Sequence, residues 1–116
     1  MVEELISRVF AARNAAHLEH WETRSYATHV ALGEFYDGVI DALDTFIEAR
    51  IAYHGRPKSV ELDGQQPDDM AIYLSKEVEW IRQNRANLAK GVPALENLID
   101  TLAEVYLRTI YKLTLS

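Results

Sequence analysis

Three histidines and a run of acids fall between His17 and Glu48, in HLEHWETRSYATHVALGEFYDGVIDALDTFIE. Imidazole and carboxylate together are the ligand set that suits iron, manganese or zinc. The chain has no cysteine, so thiolate zinc sites, iron–sulfur clusters, disulfides and cysteine nucleophiles are all excluded. Glu34, Asp37, Asp41, Asp44 and Glu48 follow a 3,4,3,4 rhythm that sets five carboxylates along one helical stripe. Like charges one turn apart repel by about 0.2–0.5 kcal/mol per pair, so stability alone gives no reason to build such a row. Two readings stand side by side. The centre of the stripe lies opposite the apolar face, where acids are simply solvated. Its flank nearest the core carries His29, Gly33, Asp37, Asp44 and Glu48. That flank can meet another subunit and hold a hard metal, with His17 and His20 supplying imidazoles across the boundary.

The elements that position these residues are helices. Val2, Leu5, Ile6, Val9, Phe10 and Ala16 recur at helical spacing over Val2 to about Glu22, with Arg13, His17 and His20 on the same side. At a bundle end such polar groups reach out to water. Thr23 to Thr28 reads as a break with Ser25 as N-cap. A second helix follows to about His54, its stripe Leu32, Phe35, Tyr36, Val39, Leu43, Phe46 and Ile47. Gly33 and Gly38 each weaken it by about 1 kcal/mol, so close approach of a neighbour is expected at both. Gly55 to Asp69 is a long loop. A third helix starts near Pro67, with Met70, Tyr73, Leu74, Trp80, Ile81 and Leu88 facing inward. Gly91-Val92-Pro93 stops it and starts a fourth, packed through Leu95, Leu98, Ile99, Leu102, Val105, Tyr106 and Leu113. Leu107, Tyr111 and Leu115 form a second stripe on that helix and point to a subunit contact. The fold class is therefore all-α, an antiparallel four-helix bundle in one domain over residues 1–116.

Composition narrows the function classes. A net charge of −6 argues against electrostatic nucleic-acid binding, which needs clustered Lys and Arg. Arg82, Arg85 and Lys90 make a small basic patch that reads as a solvated helix face. The opening residues MVEELISR lack a signal-peptide pattern, and no apolar run approaches a membrane span, so a soluble intracellular protein is expected. Ser25 near His29 has no nucleophile-elbow context, there is no glycine-rich phosphate loop, and His54 reads as a helix-end residue complementing the dipole.

The sequence His20-Trp21-x7-His29-x3-Gly33-x10-Asp44-x3-Glu48 resembles the Dps branch of the ferritin-like superfamily, the mini-ferritins. Their ferroxidase ligands follow H-W-x10-H-x3-D-x10-D-x3-E, shared between two bundles. IDALDTFIEAR carries the same flavour around the last two ligands. The resemblance implies a ferritin-like bundle and a homo-oligomer. It also implies an intersubunit site in which His20 and His29 of one chain meet Asp44 and Glu48 of another. Two departures stand out. The turn between the histidines is three residues shorter, and Gly33 occupies the place of the middle acid. Asp37 or Glu34 is the substitute at hand. The paired Glu-x-x-His motifs of ordinary ferritins are absent. In length and texture, SYATHVALGEFYDGVIDALDTFIEA and LIDTLAEVYLRTIYKLTL also resemble short, uncharacterised ferritin-like proteins of tailed bacteriophages. The function implied is binding of ferrous iron, with ferroxidase activity where the site is intact and zinc or manganese as other metals. The alternative is a metal-free structural or interaction protein, a virion component if phage-encoded, that keeps the bundle without the chemistry.

Overall fold

Ser25 decides where the first turn ends. In the computed structural model, which describes residues 1–116, its side-chain oxygen accepts the Thr28 backbone N–H at 3.2 Å. That satisfies one of the orphan donors at a helix start. Helix α1 (Val2–Glu22) and helix α2 (Tyr26–His54) are therefore joined by only three residues, shorter than the Thr23–Thr28 break expected. Two long helices on so short a link must fold back on one another as a hairpin.

The chain is all-helical, with 77% of its residues in five helices and no strand. After α2 comes the long connection to α3 (Met70–Gln83), then the single turn α4 (Arg85–Ala89) and α5 (Pro93–Lys112). The third helix starts later than Pro67, because Asp69 is its cap and accepts the Ile72 backbone N–H at 3.0 Å. It also breaks at Asn84, whose side chain donates to the Trp80 carbonyl at 2.8 Å and competes with the helical ladder. The expected third helix is thus two pieces. Pro93 opens α5 in its first turn, where a missing N–H costs nothing.

Contacts fix the path. Arg8 meets Glu77, so α3 lies along α1. Phe35 meets Tyr106 and Glu34 meets Lys112, so α2 and α5 run in opposite directions. The connection climbs along α1, held where Lys58 N–H donates to Glu3 at 2.9 Å and Gln66 Nε2 donates to the Ala15 carbonyl at 3.0 Å. In chain order the long helices run up, down, down and up, with one long crossover between the middle pair. The interior is apolar and continuous, from Leu5 and Val9 through Phe35, Phe46 and Leu74 to Leu102 and Tyr106. Each such side chain, fully buried, contributes about 1.5–3 kcal/mol. Buried Arg50 donates its Nε to the Leu88 carbonyl at 2.9 Å. A cation there caps the end of α4, where helix carbonyls lack partners.

Arg85 is part-exposed, as expected of a helix face, but it is not a lone cation. It grips Asp100 with two hydrogen bonds, 2.7 and 2.8 Å, and Glu96 at 3.2 Å, tying α4 to α5. The Asp100 carboxyl is held below the usual carboxylate range by that hydrogen bonding.

Candidate functional site, a histidine clasp across the first hairpin

The α1–α2 link places the end of α1 against the start of α2, and three histidines and three other aromatic side chains gather there. His20 Nδ1 lies 2.5 Å from the His29 carbonyl oxygen, and His29 Nδ1 lies 2.7 Å from the His20 carbonyl oxygen. A carbonyl only accepts, so both Nδ1 atoms carry the proton and donate. The His20 carbonyl belongs to the last turn of α1, where helix carbonyls lack partners. His29 thus caps one helix from the next. The two rings stack face to face, with centroids 3.7 Å apart and planes 14° apart.

His17 lies on the other side of the cluster, stacked on Tyr36 at 3.9 Å and tilted against Trp21 at 4.3 Å. Loss of water around this ring, with Arg13 and His20 close by, lowers the His17 pKa, and Asp37 acts in the opposite sense. The Arg13 guanidinium sits 5.3 Å from the centre of the Tyr36 ring. Arg13 and His17 pack against the Tyr36 ring while staying part-exposed at the hairpin surface.

Gly33 has a job in this arrangement. A Cβ at that position would stand 3.1 Å from His20 Cε1 and 3.3 Å from His20 Nδ1. The glycine is the floor on which the His20 ring rests, and an acid there would displace the ring. Close approach holds at Gly33 but not at Gly38, where the nearest atom, Val105 Cγ1, would be 3.9 Å away.

The sequence-derived metal set divides into separate places. His20 and His29 touch, and Asp37 lies nearby on the outer face. Asp44 and Glu48 are fifteen and nineteen residues beyond His29 on the same helix, roughly 22 and 28 Å along its axis. All five acids of the α2 stripe are exposed, and within the chain only Glu34 has an ion-pair partner, Lys112. No three His, Asp or Glu side chains converge as a metal site within one chain. Stacked rings cannot share an ion either. The lone pair of each imidazole lies in its ring plane, and two nearly parallel planes this far apart do not meet at a point 2.0–2.1 Å from both nitrogens. The tautomer does fit a metal ligand, since Nδ1–H bound to a carbonyl leaves Nε2 with its lone pair in the neutral ring. Any site combining these residues with Asp44 and Glu48 needs a second chain.

Sequence reasoning placed Tyr36 only in the core stripe and did not single out Tyr26. Tyr26 is 81% exposed and Trp21 68%, with Leu18 at 49% and Val30 at 37% beside them. The register of the hairpin is the missing signal. Once His20 is set opposite His29, Tyr36 falls level with Arg13 and one turn from His17, and its ring meets both.

The geometry defines an all-helical protein with an aromatic and histidine cluster locking its first hairpin. A family model covering residues 20–113 matches the chain, and the protein belongs to that family, described as a family of unknown function (DUF5856). It is similar to an uncharacterised 14.6 kDa protein from the mobD–ri intergenic region of Enterobacteria phage T4. The two are 26% identical over 115 residues, covering 97% of this chain and 88% of the relative. No solved structure matches. The similarity to a phage protein accords with the expected phage connection. No helix is long and apolar enough to cross a membrane.

Proposed function

We propose that this chain is a phage-type structural or interaction protein, a four-helix bundle that works by associating with itself through the outer face of α1 and α2. The observation that carries this reading is the patch of Leu18, Trp21, Tyr26 and Val30 around the hairpin tip. Large aromatic side chains held on a rigid surface are the usual anchors of a protein interface. The histidine clasp supplies the rigidity, because both Nδ1–H groups are used in tying α1 to α2. Leu107, Tyr111 and Leu115, also exposed on α5, offer a second contact for a larger assembly. The single long crossover between the two middle helices is the connectivity of ferritin-like bundles and supports that finer description of the fold. The setting that goes with this reading is the phage-infected cytoplasm or the virion. Light scattering coupled to gel filtration tests it. A dimer or larger species is expected, reverting toward monomer in Trp21→Ala/Tyr26→Ala, and a strict monomer at high concentration overturns it.

One observation favours a second reading, ferrous-iron binding between subunits by His20 and His29 of one chain and Asp44 and Glu48 of another. The free Nε2 lone pairs suit metal ligation, and Asp44 and Glu48 have no partners within the chain. Asp37, exposed and without an ion-pair partner in the chain, or Glu34, which pairs with Lys112, would stand in for the ligand that Gly33 does not supply. The clean test uses Asp44→Asn/Glu48→Gln, which touches no contact of the fold. Anaerobic Fe(II) or Zn(II) that binds the wild type at low micromolar concentration and not this variant supports the metal site. Equal behaviour of the two removes it.

A further inference from the structure

Two charges on the outer face of the first hairpin stand close together without pairing. Arg13 on α1 and Asp37 on α2 both act on His17, in opposite senses. The Arg13 guanidinium donates only to its neighbour Asn14, at 3.1 Å, and Asp37 is exposed with no ion-pair or hydrogen-bond partner. An interface between copies would give each charge the partner it lacks within its own chain.

The hairpin register says which way two copies must meet. With His20 opposite His29, moving seven residues back along α1 and seven forward along α2 brings Arg13 level with Tyr36 and Asp37. By the same count Phe10 stands level with Val39, one residue before Ile40, and Trp21 with Thr28, two residues past Tyr26. Phe10 and Ile40 share the outward helical phase of His17 and Tyr36 and are half-buried in the single chain.

We propose that two copies pair face to face about a two-fold axis that runs along the helices between α1 and α2, so that Arg13 of each copy meets Asp37 of the other. This inference rests on the self-association proposed above and names its geometry. Such an axis carries every α1 position onto the α2 position at the same level in the other copy. Arg13 then comes within about 1.5 Å of the level of Asp37, and Phe10 of that of Ile40, so cation meets anion and apolar meets apolar at once. An axis across the helices sets Arg13 on Arg13 and Asp37 on Asp37, which like-charge repulsion opposes. The longitudinal axis also holds His20 level with the other copy's His29. It leaves the Asp44 there roughly 22 Å further along, so this pairing and the iron site exclude one another.

Charge exchange tests the pairing. Sedimentation velocity at low ionic strength, where such pairs are least screened, would compare the full-length wild type with Arg13→Glu, Asp37→Arg and the double variant. Circular dichroism would check that each variant folds. Each single reversal places like charges opposite one another twice per dimer, and a weakening of at least tenfold in dimer affinity is expected. The double variant restores both pairs. So does an equimolar mixture of the two single variants, in which each arm of one finds its complement on the other. A wild-type monomer overturns the self-association itself. A wild-type dimer whose single variants dimerise as well as it does overturns the pairing alone, as does a folded mixture that forms no mixed dimer.

Discussion

His20 and His29 each donate a ring N–H to the other's backbone carbonyl, at 2.5 and 2.7 Å, with the rings stacked between. The two bonds form a closed loop from the end of one helix to the start of the next. Each acceptor is a backbone carbonyl, so what couples the two bonds is the stacking of one ring on the other.

The clasp should therefore behave as a unit. Removing the His29 imidazole leaves the end carbonyl of His20 without its partner, at a cost of about 1–3 kcal/mol, while removing the His20 imidazole costs the stack and a second bond to a helical carbonyl. His20→Ala and His29→Ala are each expected to lower stability by about that amount. The double variant should cost clearly less than the two together, with coupling of about 1 kcal/mol. Urea unfolding of the four proteins measures this, and strict additivity would show that the rings act separately.

Gly33 and Gly38 lie in one helix and should respond to alanine in opposite ways. Replacing glycine in a helix interior gains about 1 kcal/mol from propensity. At Gly38 the new methyl meets only Val105 at ordinary distance, so Gly38→Ala is expected to raise the melting temperature by about 3–5 °C. At Gly33 it presses on a ring fixed by stacking and a hydrogen bond, so Gly33→Ala should gain nothing, and Gly33→Asp should lose about 2 kcal/mol. Thermal melts decide it. An equal gain at both sites would mean the His20 ring moves freely.

Tyr106 is fully buried, and its hydroxyl has no hydrogen-bond partner. Burial drives its pKa well above the ordinary phenol value. Keeping an unpartnered hydroxyl from water costs about 1–3 kcal/mol, while the ring fills the core against Phe35 at 5.0 Å. Tyr106→Phe is expected to be neutral or stabilising by up to about 1 kcal/mol, and Tyr106→Ala to cost about 3–5 kcal/mol. A large loss in Tyr106→Phe, read from denaturant midpoints, would reveal a partner for the hydroxyl.

Acid should loosen the α4–α5 tie. The Asp100 carboxyl titrates below its ordinary value of 3.8 because Arg85 hydrogen-bonds its charged form. The folded state thus binds fewer protons than the unfolded chain as pH falls past that value. The stabilisation is complete above it and disappears as pH drops through the folded value. Asp100→Asn should be less stable than wild type at neutral pH, with the gap closing below about pH 4. A gap that stays constant down to acid unfolding would show that the ion pair contributes nothing.

Much of this was legible in residue spacing. Apolar periodicity located the long helices, Ser25 announced the N-cap, and Gly91-Val92-Pro93 marked the last stop and restart. The boundaries that moved were set by side-chain hydrogen bonds to the backbone, Asp69 capping α3 and Asn84 breaking it. Periodicity carries no information about these. Arg85 read as a solvated cation, because its partners Glu96 and Asp100 are eleven and fifteen residues away, on the other side of a turn.

The candidate site divides along the same line. The sequence alone determined that imidazole and carboxylate are the available ligands, that thiol chemistry is excluded, and that Gly33 departs from the mini-ferritin pattern. Only the tertiary structure decided that His20 and His29 stack on each other, and that Gly33 is the space the His20 ring needs rather than simply a missing acid. The reason is physical. Ring orientation and close approach depend on how two helices register across a three-residue link, and that register is settled by packing over the whole length of α1 and α2.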